Sequence, residues 1–330
     1  MRVSLIATVK NEASNIGVLL DSMLRQSRPA DEIVINDNDS TDGTAAIIQG
    51  YVDAGYPIRL VHGGHNIPSG RNNAIRHATG PLIASCDAGL VLPPNWLADL
   101  LVPLETGEAD VAAGFYVAAP ESLWEFALGA TNYPDAAEID PEHFLPAGQS
   151  VAFTKVAWEA AGGYPEWAAT CEDLLFDLQL KAHGYRFRFV PDAAVHFRPR
   201  STVRAYLRQY YTYARGDGIG RLWPRRHALR YAFYAALGGI MLSMRRWPLA
   251  GLLTLPAVAF HVQAPLRRVW RRSRGMPPAE RAAALLLVPA IRLLGDLAKM
   301  AGYPAGIALR LSGRAGPPRQ PRSVTDCPGS

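Results

Sequence analysis

The sequence predicts an α/β fold over residues 1–200, a mostly parallel sheet covered by helices, then an apolar and basic helical region over 201–312 and a disordered tail over 313–330. Three observations carry this. Short β-rich runs alternate with helical stretches through the first 200 residues, the spacing of successive strand–helix units. Two of the apolar runs end directly in acidic residues, and ligands of such sheets bind beyond the carboxyl ends of the strands. The charge balance then inverts. Residues 1–200 hold 13 Lys and Arg against 25 Asp and Glu, a net −12, whereas 201–330 hold 21 against 4, a net +17.

VSLIATV (3–9) reads as a strand and NIGVLLDSMLRQ (15–26) as a helix; EIVIN (32–36) and TAAIIQGYVDAG (44–55) repeat the pair. IRLVH (58–62) is a third strand, followed by a helix through RNNAIRHA (71–78), and LIASC (82–86) a fourth, ending at Asp87. ADVAAGFYVAA (109–119) is a further strand. Residues 131–147 read as loop, with three prolines and clustered acids. GQSVAFTK (148–155) returns to strand, VAWEAAGGYP (156–165) is a short helix, CEDLLFDLQLKAHG (171–184) a helix with a glycine stop, and YRFRFVPDAAVHF (185–197) a strand interrupted at Pro191.

A hydrophobic fraction of 49% and a charged fraction of 19% exclude a disordered chain. The arginines of the C-terminal region alternate with apolar blocks such as YAFYAALGGIMLSM (231–244) and WPLAGLLTLPAVAFHVQAPL (247–266), a pattern of membrane surfaces rather than nucleic-acid partners. The first block is short for a span, and RAAALLLVPAIRLLGDLAKM (281–300) holds Arg292 and Asp296. Interfacial or re-entrant helices on the cytoplasmic leaflet are therefore expected, with buried helices of a soluble protein as the plainer alternative. MRVSLIATVKNEAS is charged at Lys10 and Glu12 and reads as a strand, not a secretory signal. Cys86, Cys171 and Cys327 form no disulfide framework, which fits a reducing cytoplasm.

EIVINDNDSTDGT (32–44) poses the sharpest question, because Asp37, Asp39 and Asp42 fall within six positions. One answer is a polar turn that caps the next helix, with Ser40 and Asp42 as candidate N-caps. The other is a site that reads a polar ligand.

TVKNEAS (8–14), the NDNDSTDGT turn (36–44), GRNNAIRHATG with CDAG (70–89), and GGYPEW with CEDLLFDLQLKAHG (162–184) stand in an order and spacing that resembles the family 2 glycosyltransferases of the GT-A fold, over about residues 3–200. The resemblance implies a Rossmann-like nucleotide-sugar-binding domain in which Asp37 hydrogen-bonds the donor base. An acceptor-only carboxylate suits the N–H of uracil. Thr8 and Glu12 would line the same pocket, unless Glu12 and Asn15 merely begin a helix. Arg71 would approach the donor diphosphate, with Asn72 and Asn73 beside it; the alternative is a solvated helix start. The family's metal-holding Asp-x-Asp is represented here by Asp87-Ala88-Gly89. A divalent cation, Mn²⁺ or Mg²⁺, would rely on Asp87 and donor oxygens, with His196 at a place where some relatives supply a third ligand.

Glu172 and Asp173 match the family's acid pair, Asp173 as general base and Glu172 orienting it or touching the acceptor, against the alternative of two acids in a first helical turn. Gln149, with Gly148 and Ser150, would contact sugar or acceptor. Gln209 and Arg215 in RQYYTYARGDG (208–218) lack the spacing and the Trp of the Q-x-x-R-W motif of processive relatives, so a long polymer is not expected. The whole implies an inverting transferase on the cytoplasmic face of the cell membrane, using a UDP-sugar and a lipid-linked or envelope-glycan acceptor, and binding no nucleic acid. Two rivals are a sugar-phosphate nucleotidyltransferase, whose Gly-rich basic loop TVKNEASN lacks, and a non-catalytic nucleotide-sugar-binding scaffold, suggested by Gly89.

Overall fold

The computed structural model describes residues 1–317; the expected tail therefore lies, from residue 318 onward, outside the described residues. Its strands are β1 (Val3–Val9), β2 (Glu32–Asp37), β3 (Ile58–His62), β4 (Leu82–Asp87), β5 (Val111–Ala118), β6 (Val151–Thr154) and β7 (Phe187–Phe197). They form one seven-stranded sheet in the order β3-β2-β1-β4-β6-β5-β7. The sheet is mostly parallel, as expected: β1–β4, β5 and β7 share one direction, and β6 alone runs antiparallel, to both β4 and β5. A four-residue apolar run carries no mark of its direction; the path of the chain sets it. β7 continues through Pro191, because a register shift opposite Gly114 and Phe115 on this edge strand leaves the proline without a ladder bond to lose.

The helices of the first 200 residues are α1 (Ile16–Leu24), α2 (Thr44–Asp53), α3 (Ile67–His77), α4 (Trp96–Glu105), α5 (Leu123–Asn132), α6 (Lys155–Ala160) and α7 (Glu172–Ala182). Alternate residues of β1 serve opposite faces of the sheet: Val3, Leu5 and Ala7 join a cluster with Leu19, Ile48 and Leu97, and Ile6 joins one with Ile75 and Phe176. Three local expectations need correction. The third helix starts at Ile67, not at 71, because Asn66 and Ser69 cap each other reciprocally and Pro68 occupies the first turn. The N-cap of α2 is Gly43 at φ +91, not Ser40 or Asp42. Two further helices, α4 and α5, follow β4 and β5, and α5 takes the first residues of the expected 131–147 loop.

Beyond residue 200 the chain forms α8 (Val203–Gly220), α9 (Pro224–Ser243), α10 (Thr254–Arg272) and α11 (Pro278–Leu311). With α5, three of them, α8, α10 and α11, enclose a third apolar cluster that includes Leu128, Tyr206, Val262 and Ile291, so packing crosses the boundary placed at residue 200. The backbones of α8 and α11 touch. A side chain at Gly302 would overlap the Tyr211 carbonyl, and one at Gly306 that of Arg215. Asp296 is buried and accepts from Arg230 Nε and His261 Nε2, each at 2.9 Å. The inner face of α11 is thus a packed bundle face. The end of α9 and the start of α10 are different: Trp247, Leu249, Leu252, Leu253, Leu255 and Phe260 are 61–79% exposed, beside Arg245 and Arg246. Among the described residues, Pro248–Arg272 is the one helical stretch long and apolar enough to cross a membrane, its most apolar 18 residues having a mean hydropathy of 1.5.

Candidate active site

Thr8, Asp37 and Asp87 stand at the carboxyl ends of three adjacent strands, Thr8 in register with Asp87 and Val9 with Asp37. The loops that follow β1 and β2 are stitched together. Asn11 N donates to Ser40 Oγ at 2.9 Å, Thr41 N to Asn11 Oδ1 at 2.8 Å, and Ala13 N to Asp42 Oδ2 at 3.0 Å. Hydrogen bonds therefore offset the repulsion among the turn's acids. Asp42 is held below the usual aspartate range, first by the Thr44 hydroxyl. Asp37 is 2% exposed; its carboxylate accepts from Ser40 N at 3.0 Å and from the Ser40 hydroxyl, with His62 Nδ1 at 3.7 Å. Asp39 is an exposed residue in the left-handed region. Gly70 lets α3 press on this corner, since an added Cβ would lie 2.5 Å from Thr8 Cγ2. Thr8 Oγ1 and Gln149 Oε1 are buried without a hydrogen-bond partner among the described residues, a condition that native interiors rarely leave unexplained.

Arg71 organises the second half of the site. Its side chain is 4% exposed, which excludes a solvated helix start, and its guanidinium donates to Asp87 Oδ1 at 2.5 Å and to Glu172 Oε1 at 2.9 Å. The ring of Tyr164 lies 5.4 Å away, and a side chain at Gly148 would overlap the guanidinium. Burial works against the charge of Arg71, but Asp87 and Glu172 outweigh it and hold its pKa above the ordinary value. Burial likewise dominates at Glu172, lifting it from 4.5 to about 7 against the pull of Arg71, with Asp173 adding to the rise. Asp173 follows at the start of α7, half-buried. Its Oδ2 accepts from Gly148 N at 3.2 Å and its Oδ1 from Leu174 N at 2.8 Å. Strand-end acid, buried arginine and helix acids thus form one connected group.

Two expected residues have other surroundings. Asn72 donates to Tyr164 O at 2.8 Å and Glu166 Oε1 at 2.9 Å, and accepts from Trp158 Nε1 and Tyr164 N. Its amide is filled by protein contacts that pin the 162–167 loop to α3, so it buttresses the site. His196 is exposed on β7, bridged through its backbone to Val91, and its ring makes no hydrogen bond among the described residues. No group of three metal-capable side chains occurs among the described residues. The donor chemistry still suits a hard cation. Asp87 is 38% exposed, and a Cβ added at Gly89 would find Glu12 Oε2 at 3.9 Å, so a carboxylate already faces the position of the missing acid.

Sequence reasoning passed over Tyr164, the packing role of Gly148, and Asp177. Asp177 lies one turn beyond Asp173, wholly buried, with Oδ2 unpartnered among the described residues; burial pushes its carboxyl well above the usual range. An acid on the apolar stripe of a helix was the available signal. A cavity of about 330 Å³ between β5 and α5, lined by Tyr116, Tyr133 and Arg272 among others, contains none of the candidate residues.

Two family models match the chain, glycosyl transferase family 2 over residues 4–155 and glycosyl transferase family group 2 over residues 132–270. The lipopolysaccharide core biosynthesis glycosyltransferase LpsC of Rhizobium meliloti (strain 1021) is 48% identical over 52 residues, 16% of this chain and 18% of LpsC. The validoxylamine A glucosyltransferase of Streptomyces hygroscopicus subsp. jinggangensis (strain 5008) is 29% identical over 104 residues, 30% of this chain and 24% of that enzyme. The match thus spans less than a quarter of either relative's own length. Among solved structures, the mannosyltransferase PcManGT from Pyrobaculum calidifontis, in complex with GDP-Man and Mn²⁺, shares the fold at a TM-score of 0.55 and 21% identity, covering 95% of this chain and 88% of that one.

Proposed function

Because the chain belongs to the family 2 glycosyltransferases and has a GT-A fold, we propose that it transfers a sugar, with inversion, from a UDP-sugar to a lipid-linked or envelope-glycan acceptor at the cytoplasmic face of the cell membrane. The single observation that carries the reading is Arg71, which joins Asp87 at the end of β4 to Glu172 on α7, the latter 101 positions away from Arg71 in sequence. Donor-side and base-side acids share one buried cation.

In this reading Asp37, with Thr8 nearby, receives the nucleoside. Asp173 takes the proton of the acceptor hydroxyl as that oxygen bonds to the anomeric carbon, and the bond from that carbon to the diphosphate breaks with its electron pair. The donation from Gly148 N to Asp173 Oδ2 supports the role by orienting the base. Glu172 and Arg71 position α7 against β4, and Gln149 presents an unpartnered oxygen for sugar or acceptor. A divalent cation held through Asp87, with His196 as a further candidate ligand, would neutralise the charge that gathers on the leaving diphosphate. The residues over 1–200 form the catalytic domain of this proposal and those over 201–312 its membrane-associated region. The apolar surface from Met241 to Phe260, with Arg245 and Arg246 beside it, supports a helix pair lying in an anionic interface.

Calorimetric titration of the purified protein in detergent with UDP and GDP tests the donor assignment. The expected outcome is UDP binding that Asp37→Ala weakens by roughly 1–3 kcal/mol, the cost of an unpaired buried donor. Tighter GDP binding would move the donor to a guanosine diphosphate sugar, and binding of neither nucleotide would remove the proposal.

A further inference from the structure

We propose that Glu12 supplies the second carboxylate of a divalent-cation site whose first is Asp87. The inference rests on the proposed nucleoside-diphosphate donor and goes on to name a ligand for its metal. Gly89 occupies the position at which a second acid would follow Asp87, with its backbone at φ +74. A Cβ built there meets a single heavy atom within 4 Å, Glu12 Oε2 at 3.9 Å. The space that a side chain at 89 would enter is therefore bordered by a carboxylate that comes from the neighbouring loop.

That loop is well held. Glu12 N donates to Thr44 Oγ1 at 2.8 Å, and Glu12 O accepts from Asn15 N at 2.9 Å and Ile16 N at 2.8 Å. Its carboxylate, by contrast, has little to do. Its hydrogen bond is from Asn15 Nδ2 at 3.3 Å, and it pairs with no Lys, Arg or His among the described residues. Asp87 commits Oδ1 to Arg71 and leaves Oδ2 without a hydrogen bond among the described residues. Asp87, the last residue of β4, and Glu12, in the loop after β1, thus each keep an oxygen that makes no hydrogen bond among the described residues. Hard divalent cations take such oxygens and complete their shells with water and phosphate.

Mn²⁺ titration of the full-length protein in detergent, followed by the paramagnetic resonance of free Mn²⁺ with and without UDP, tests this directly. Calorimetric UDP binding without metal is measured alongside. Glu12→Gln is expected to weaken Mn²⁺ binding by at least about tenfold, the scale on which metal sites lose affinity when a supporting group is removed. Gly89→Asp in the same background should recover Mn²⁺ affinity, because it places a carboxylate in the space that Glu12 borders. Two results would overturn the inference: Mn²⁺ affinity in Glu12→Gln equal to that of the unaltered protein, or no Mn²⁺ binding by the unaltered protein. An unaltered protein that binds Mn²⁺ but no nucleotide would instead refute the donor reading and leave the cation site standing.

Discussion

Asp173→Asn is expected to lower sugar transfer by about 10²- to 10⁴-fold while nucleotide affinity stays unchanged, the range that general-base removal costs. The substitution is close in shape. An asparagine oxygen can still accept from Leu174 N, which now lies 2.8 Å from Asp173 Oδ1. The amide end would face Gly148 N at the place where Asp173 Oδ2 now accepts at 3.2 Å, and loss of that one bond costs about 1 kcal/mol of stability. The fold should therefore survive, and single-turnover kinetics with a saturating donor should show the deficit in the chemical step. Transfer by the variant at the normal rate would shift the base to another acid, with Glu172 and Asp177 the nearest on the same helix.

Arg71→Met carries the second large effect, this time on stability. The methionine fills much of the stem volume but leaves Glu172 buried without its cation and Asp87 without its 2.5 Å donor. Removing one partner of a buried pair costs about 3–5 kcal/mol. Urea unfolding should report that loss, and Glu172→Gln in the same background should return part of it by removing a buried carboxyl left without its partner. Arg71→Lys should recover less than its charge suggests, because a single ammonium on a flexible stem cannot span both carboxylates as the guanidinium fork does. An Arg71→Met protein as stable as the unaltered one would show that the buried pair contributes nothing to holding α3, β4 and α7 together.

How far the sequence reveals this site differs from residue to residue. Asp37 and Asp87 are legible because each ends an apolar strand, and a strand end in an α/β sheet is a place with a known use. Glu172 and Asp173 are legible as a pair at the start of a periodic helix. Arg71 is visible as a residue, but its partners are not. Glu172 lies 101 positions away, and nothing in the local pattern of GRNNAIRHATG says that the guanidinium turns inward. Asn72 shows the same gap: its four hydrogen bonds go to Trp158, Tyr164 and Glu166, groups that only the folded chain brings near. The direction of β6 is invisible for a related reason, since strand periodicity reads the same forwards and backwards. In the C-terminal half, Arg292 and Asp296 read as obstacles to a membrane span. Asp296 instead completes a buried cluster with Arg230, Tyr234 and His261.

Nucleoside-diphosphate release from a panel of UDP-sugars and GDP-sugars, with membrane extract as the source of acceptor, tests the transferase account most directly. The account predicts release from at least one UDP-sugar that depends on the extract, disappears in Asp173→Asn, and accompanies a product of inverted anomeric configuration. Absence of release from every nucleotide sugar, or equal release by Asp173→Asn, would contradict it.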